Sequence, residues 1–354
     1  MFFILSDELM VESTHNKYKY VMRAVKIIAN SVFESKHLLS GSIKVLTYFK
    51  EHFKDDEDLY CLFNFLIQNY YSTSYDFIKR RVEIVINVTK VQRDEEGYEI
   101  YQSAIDDYQD TSFCQKAILI GEDLNDCKIY DFILKWYIKE NKLNINYAFD
   151  HENGGGRNTF KVIYKNINGK KICLSILDTD RKYPKAEIGQ TLKKCKGFLR
   201  IKNPKAKIIE LDLHEIENLL PFDFLDKEKF DGELATKKEK FDLLRKNDPE
   251  LLKFFDIKNG IKKKDIKNNK EYKDFARKCC KCDESINNFE EYYENLSDED
   301  YVYLPLCRIY KKIENDLEKD YTELNLLEFQ KKEWDKLGKN LLEFGCARNQ
   351  EALN

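Results

Sequence analysis

Apolar positions recur along this chain at two spacings, and the change from one to the other divides it into regions. Between residues 20 and 67, apolar side chains stand three and four apart among charged positions (Tyr20, Val21, Ile27, Ile28, Val32 and Phe33, then 43–49 and 59–67), which predicts amphipathic helices. The stretch RVEIVINVT from Arg81 is β-branched and alternating, so it predicts a strand or a change from helix to strand. Residues 1–112 are therefore expected to form a mainly helical module that binds a partner or a substrate. His15, His37 and His52 are isolated within it and form no catalytic constellation.

From Lys116 the pattern changes. A buried-strand run, AILI at 117–120, exits through Gly121 into 123–139, where Leu124, Ile129, Phe132, Ile133, Trp136 and Tyr137 fall at helical spacing. A second strand is predicted at 144–149, followed by the loop HENGGGRN, whose three glycines suit positive φ or a close backbone approach. Then come a helix at 157–167, a strand at 172–177, a helix led by Pro184 and a strand at 206–211. Alternating strands and helices predict a parallel sheet with right-handed crossovers. The expected class is α/β: a central parallel sheet flanked by helices in 113–260, the mainly helical module before it, and a helical C-terminal extension, 261–354, that packs back on the central domain. The segment WDKLGKNLLEFGC, ending at Cys346, carries the closing helix.

The chain's 354 residues suffice for two or three domains and a sizeable core. With 60 Lys+Arg against 63 Asp+Glu there is no global basicity to announce a polyanion partner, so local patches must carry any such role. A 42 % apolar content separates the chain from disordered sequences. Asp7 and Glu8 interrupt the apolar start before signal-peptide length, and no stretch approaches the roughly 20 apolar residues of a membrane span, so a cytoplasmic protein without membrane association is expected. The 10 cysteines fit that compartment, being mostly scattered singly through apolar segments. Cys279, Cys280 and Cys282 read either as a zinc site or as helix-face cysteines, and the absence of paired C-x₂-C knuckles favours the second.

The candidate chemistry lies where three apolar strands end in carboxylates: Glu122 with Asp126, Asp178 with Asp180, and Glu215 with Glu217. Ligands of open α/β sheets collect at the carboxyl ends of the strands. Glu122 and Asp126 share one face of a helix's first turn, where they read equally as acids favoured by the macrodipole. Asp178-x-Asp180 is sharper, because two carboxylates one residue apart repel each other unless a cation lies between them. In HEIEN, one acid reads as a ligand while the other caps the following helix, and spacing does not decide which. His214 reads as a ligand, a general base or a group that orients a carboxylate. Lys258, in FDIKNG, stands where the chain turns at Gly260.

This order (a glutamate with an acid four later, a glycine-rich loop, D-x-D, then E-x-E-N) resembles the TOPRIM domain of primases, topoisomerases and OLD-family nucleases. Glu122, Asp178 and Asp180 match its acidic signature. Asp126, HEIEN and the lysine of FDIKNG are more similar to the nuclease branch found in bacterial anti-phage systems. The resemblance covers about 116–260 and implies an Mg²⁺-dependent endonuclease. Its carboxylates would hold one or two Mg²⁺ or Mn²⁺ ions that polarise a phosphodiester, generate the attacking hydroxide and stabilise the leaving oxygen. It implies Glu122, Asp178 and Asp180 as primary ligands, with Asp126 and Glu215 or Glu217 completing a second metal site. Lys258 would neutralise transition-state charge, and 154–157 would approach the phosphate backbone. The implied substrate is DNA, or RNA such as tRNA. OLD-family nucleases usually carry an ATPase domain, but no GxxxxGK[ST] run occurs here, so the protein either works alone, including as a homo-oligomer, or has an ATPase partner in trans. In the family motif a glycine follows the first glutamate, whereas here Gly121 precedes Glu122. The competing expectation is a non-catalytic nucleic-acid-binding or assembly subunit whose acids are structural.

Overall fold

The computed structural model describes residues 1–198, 205–222, 224, 231–306 and 324–349. The chain divides into two compact units, Met1–Ile176 with Cys195–Ile209 and Leu337–Asn354, and Leu177–Lys194 with Glu210–Lys336. This division does not coincide with the expected boundaries after residues 112 and 260. Among the described residues no helix is long and apolar enough to cross a membrane.

The first unit is built on two sheets. In the first, β1 (Phe2–Leu5), β2 (Leu38–Gly41), β3 (Arg80–Val85), β4 (Gln92–Glu95) and β5 (Tyr98–Ala104) lie in the order β2-β1-β3-β5-β4. All neighbours are parallel except β4 and β5. The expected helices are present as α1 (Tyr18–Phe33), α2 (Ile43–His52) and α3 (Glu57–Gln68), but a sheet organises the region. This corrects the mainly helical expectation. β1 and β2 are four residues long, and β2 is buried throughout, so neither is long enough to show alternation. Only β3, inside the β-branched stretch, announced itself. Ser42 and Asp56 cap α2 and α3 by accepting from the Val45 and Leu59 N–H groups. Phe49, Phe53 and Phe63 stack at about 6 Å between ring centres. Phe49 and Phe63 are wholly excluded from water, each contributing about 2–3 kcal/mol.

The second sheet contains β6 (Ala117–Gly121), β8 (Phe149–Asn153), β9 (Cys173–Leu177) and β10 (Ala206–Glu210) in the order β10-β9-β6-β8. β6 pairs in parallel with both β8 and β9. Every residue of β6 and β9 is buried, as in the centre of a parallel sheet covered by helices. α4 (Leu124–Glu140) and α5 (Thr159–Asn168) fall where the periodicity placed them. The strand expected at 144–149 resolves into two. β7 (Asn146–Tyr147) pairs antiparallel with the terminal β13 (Cys346–Ala347), and β8 then joins the sheet.

The second unit is mostly helical, with α7 (Glu233–Asn247), the single turn α8 (Lys263–Ile266), α9 (Lys270–Lys281) and α10 (Phe289–Glu294) beside the small antiparallel pair β11 (Ile261–Lys262) and β12 (Tyr301–Tyr303). The helix expected from Pro184 begins only at Gln190, as α6 (Gln190–Phe198). The residues before it are tied elsewhere, because the Gly189 N–H donates to the Thr179 carbonyl. The closing helix α11 spans Glu328–Gly345. Cys279 and Cys280 are buried on α9 and Cys282 caps it. The Cys280 and Cys282 thiols donate to the carbonyls of Val302 and Lys278, and burial pushes Cys280 up to about 12. These thiols are packed in the core, and Cys307 lies outside the described residues.

Candidate active site

The second unit assembles a buried acidic cluster from two short segments. Beyond β9, the D-T-D loop is zipped to the chain leaving β10: the Leu211 N–H donates to the Leu177 carbonyl, the Thr179 hydroxyl to Leu213, and the Asp180 N–H to His214 at 2.9 Å. Asp180 has φ 56°, an uncommon conformation for a residue with a side chain and one that aspartate tolerates better than most. Its carboxylate lies against Gly189, where a Cβ would collide with it.

HEIEN follows. Glu215, in extended backbone, precedes a 3-10 turn over Ile216–Leu219. Asn218, fully buried, is the clamp. Its side-chain oxygen accepts from the Glu215 N–H at 3.0 Å, and its amide donates to the carbonyls of Leu252 at 2.6 Å and Phe255 at 2.9 Å. The His214 N–H adds a third tie, to Lys253 at 2.9 Å. These bonds fix HEIEN against FDIKNG. There Asp256 holds its own turn by accepting from the Asn259 N–H at 2.7 Å, and Gly260 completes it at φ 63°, where a Cβ would lie 2.6 Å from the Tyr303 carbonyl oxygen.

The turn delivers two charges to the cluster. Lys258 Nζ is 2.8 Å from Glu215 Oε2 and 3.1 Å from Glu217 Oε1. Asp256 Oδ2 is 3.5 Å from His214 Nε2 and 3.6 Å from Lys182 Nζ. Glu215, Glu217, Asp256 and His214 are 5, 7, 3 and 3 % exposed, so these polar side chains sit out of water. Burial, with Glu217 beside it, pushes Glu215 up to about 7, although His214 and Lys258 pull the other way. Burial alone would discharge Lys258, but the two glutamates outweigh it and raise its pKa. Burial would likewise raise Asp256, yet His214 and Asn259 hold it down at about 2.

The cluster is not self-satisfied. Glu215 Oε1, Glu217 Oε2 and His214 Nδ1 are buried and have no hydrogen-bond partner among the described residues. Each such atom costs about 1–3 kcal/mol unless a ligand completes it. His214, Glu215 and Asp256 each offer a donor atom within 4.8 Å of the others, forming the one such trio among the described residues. A set of carboxylate oxygens with one imidazole suits Mg²⁺ or Mn²⁺.

No protein-family model, curated protein or solved structure matches this chain. The site is therefore argued on its geometry. Of the residues singled out in the sequence, Glu215, Glu217 and Lys258 are brought into contact, and Asp180 is tied to them through its backbone. Asp178 opens the same loop, half-buried. Glu122 and Asp126 belong to the first unit. There Asp126 closes the capping box of α4, accepting from the Asp123 N–H at 2.8 Å, and the Glu122 carbonyl accepts from Gly155 at 3.1 Å. The glycine loop thus packs against the end of β6, with Arg157 exposed. Sequence reasoning missed Asp256, two residues before Lys258 in the same motif, and Lys182, which follows the D-T-D loop; a carboxylate in the turn that presents a lysine was the available signal.

Proposed function

We propose that this chain is a metal-dependent nuclease that hydrolyses phosphodiester bonds of DNA or of RNA such as tRNA, acting as an effector of bacterial anti-phage defence. The observation that carries the reading is the buried Glu215–Lys258–Glu217 triad beside His214 and Asp256, with carboxylate oxygens left unpartnered in a water-poor site. His214, Glu215 and Asp256 would hold Mg²⁺ or Mn²⁺, and the resemblance adds Asp178, Asp180 and Glu217 of the same unit as ligands. When bound, the ion polarises the phosphodiester and stabilises developing negative charge. Lys258 carries a positive charge next to the same carboxylates and would neutralise phosphoryl oxygens. An ATPase partner in trans belongs to this proposal.

The test is cleavage of plasmid, linear DNA and total tRNA by the purified protein with Mg²⁺ or Mn²⁺. Asp178→Ala and Glu215→Gln should abolish metal-dependent cleavage while leaving the fold intact by circular dichroism, and retained cleavage in either would sink the assignment. A second reading, a non-catalytic nucleic-acid-binding or assembly subunit, is favoured by one feature: Lys258 already neutralises charge on Glu215 and Glu217 without any bound ion. Cleavage by the wild-type protein would dismiss it.

A further inference from the structure

The second unit also contains a cavity of about 490 Å³, of a size suited to a small organic ligand. Tyr183, Pro184, Leu251, Phe254 and Phe275 give it apolar walls, and Lys185, Lys253 and Lys278 stand among four carboxylates in the rest of its lining. No member of the acidic cluster lines it, yet both share the same two segments. Lys182 reaches Asp256, and the next residue, Tyr183, is cavity wall. Lys253, whose carbonyl accepts from His214, is wall as well, and Phe254 precedes Asp256 by two residues, at most about 7 Å of chain.

One aromatic wall is held in place. Tyr183 stacks on the buried Tyr272 at 5.4 Å with 24° between the rings, and its hydroxyl accepts from Asn269 Nδ2 at 3.0 Å. Asn269 is itself fixed as the N-cap of α9. The charge balance does not favour a phosphate inside the cavity: Glu271 is paired with Lys185 at 3.5 Å and Asp274 with Arg277, which leaves Asp248 and Glu250 against Lys253 and Lys278 with no net positive charge. Aromatic walls with carboxylate acceptors instead fit a neutral ring whose edge carries N–H donors. Cytosine, adenine and guanine carry an exocyclic amino group with two N–H donors on that edge, whereas uracil and thymine offer a single N3–H flanked by carbonyls that would face the carboxylates unfavourably. A base held in a stack cannot enter such a cavity, so the base must be unpaired.

We propose that this cavity receives an unpaired, amino-bearing nucleobase of the substrate whose phosphate is acted on at the neighbouring acidic cluster; this rests on the nuclease reading above. The full-length protein is titrated by calorimetry, without metal, against adenosine, cytidine, guanosine and uridine 5′-monophosphates. KM and kcat are then measured on a single-stranded oligonucleotide. The amino-bearing monophosphates should bind more tightly than the uridine one. Tyr183→Leu and Phe254→Ala, each at a half-buried position, should weaken that binding roughly tenfold and raise KM, with the melting shift on adding Mg²⁺ unchanged. The base site is overturned if no monophosphate binds, or if both variants bind and cleave with wild-type Kd and KM. If the monophosphates bind and the variants weaken them but no nucleic acid is cut, the base site stands and the nuclease reading falls.

Discussion

The two units hold acids of the same kind in opposite circumstances. In the first, Asp126 sits at the start of α4, where its carboxylate accepts a backbone N–H and faces the favourable end of a helix dipole. In the second, Glu215 and Glu217 are buried side by side around one lysine, with an oxygen of each unpartnered. The first arrangement stabilises an element. The second costs stability, and a fold that keeps such a group has it available for proton or cation chemistry. Burial and pairing rather than residue type separate the two arrangements.

Removing the lysine breaks this comparison with the largest expected effect. Lys258→Met leaves two carboxylates buried without their cation and should cost about 3–5 kcal/mol in urea unfolding; combining it with Glu217→Gln should recover much of that loss. A Lys258→Met protein as stable as wild type would show that the pair is not desolvated as its burial implies.

Next comes pH. Glu215 titrates at about 7 when folded, above its unfolded value of 4.5, so folding is favoured by its proton below pH 4.5 and loses that contribution as pH rises to 7. Wild type should lose stability relative to Glu215→Gln across that window, by on the order of 3 kcal/mol, and saturating Mg²⁺ should reduce the loss by favouring the ionised form. Parallel stability curves for the two proteins would refute the raised pKa. Asp256, held at about 2, acts in a separate window, since its stabilisation is present above its unfolded value of 3.8 and fades as pH falls toward 2.

The smallest effect belongs to the first unit. Asp126→Ala removes one member of the α4 capping box and should lower stability by about 1 kcal/mol at all pH values above the carboxylate range. A change several times larger would mean that Asp126 does more than cap.

Much of the second sheet was legible because β6, β9 and β10 are short runs rich in Ile and Leu, with strongly periodic helices between β6 and β9. β1 and β2 were not, since four residues are too few to carry a period, and their strand character comes from pairing, β1 with β3 and β2 with β1. The helix expected from Pro184 failed for a similar reason. Pro184 suits a helix start, but the bond from Gly189 to Thr179 and the packing of Asp180 against that glycine hold the segment in a turn and loop until Gln190. Within the site, HEIEN and Lys258 were visible as residue types in short motifs. Asp256 was overlooked because its value lies in what it touches.

Local chemistry, then, dictated where the strands and helices of the second sheet run and that acids follow its strands, since hydrophobic period and turn residues act over a few neighbours. The fold alone decided the rest: that the first region is organised by a sheet, that Asp126 becomes a cap, and that Glu215 and Glu217 share Lys258 while His214 pairs with Asp256. Those outcomes depend on burial and on charges brought together from segments distant in the chain. Desolvation and pairing, which set the chemistry of a carboxylate, have no value until the chain has folded.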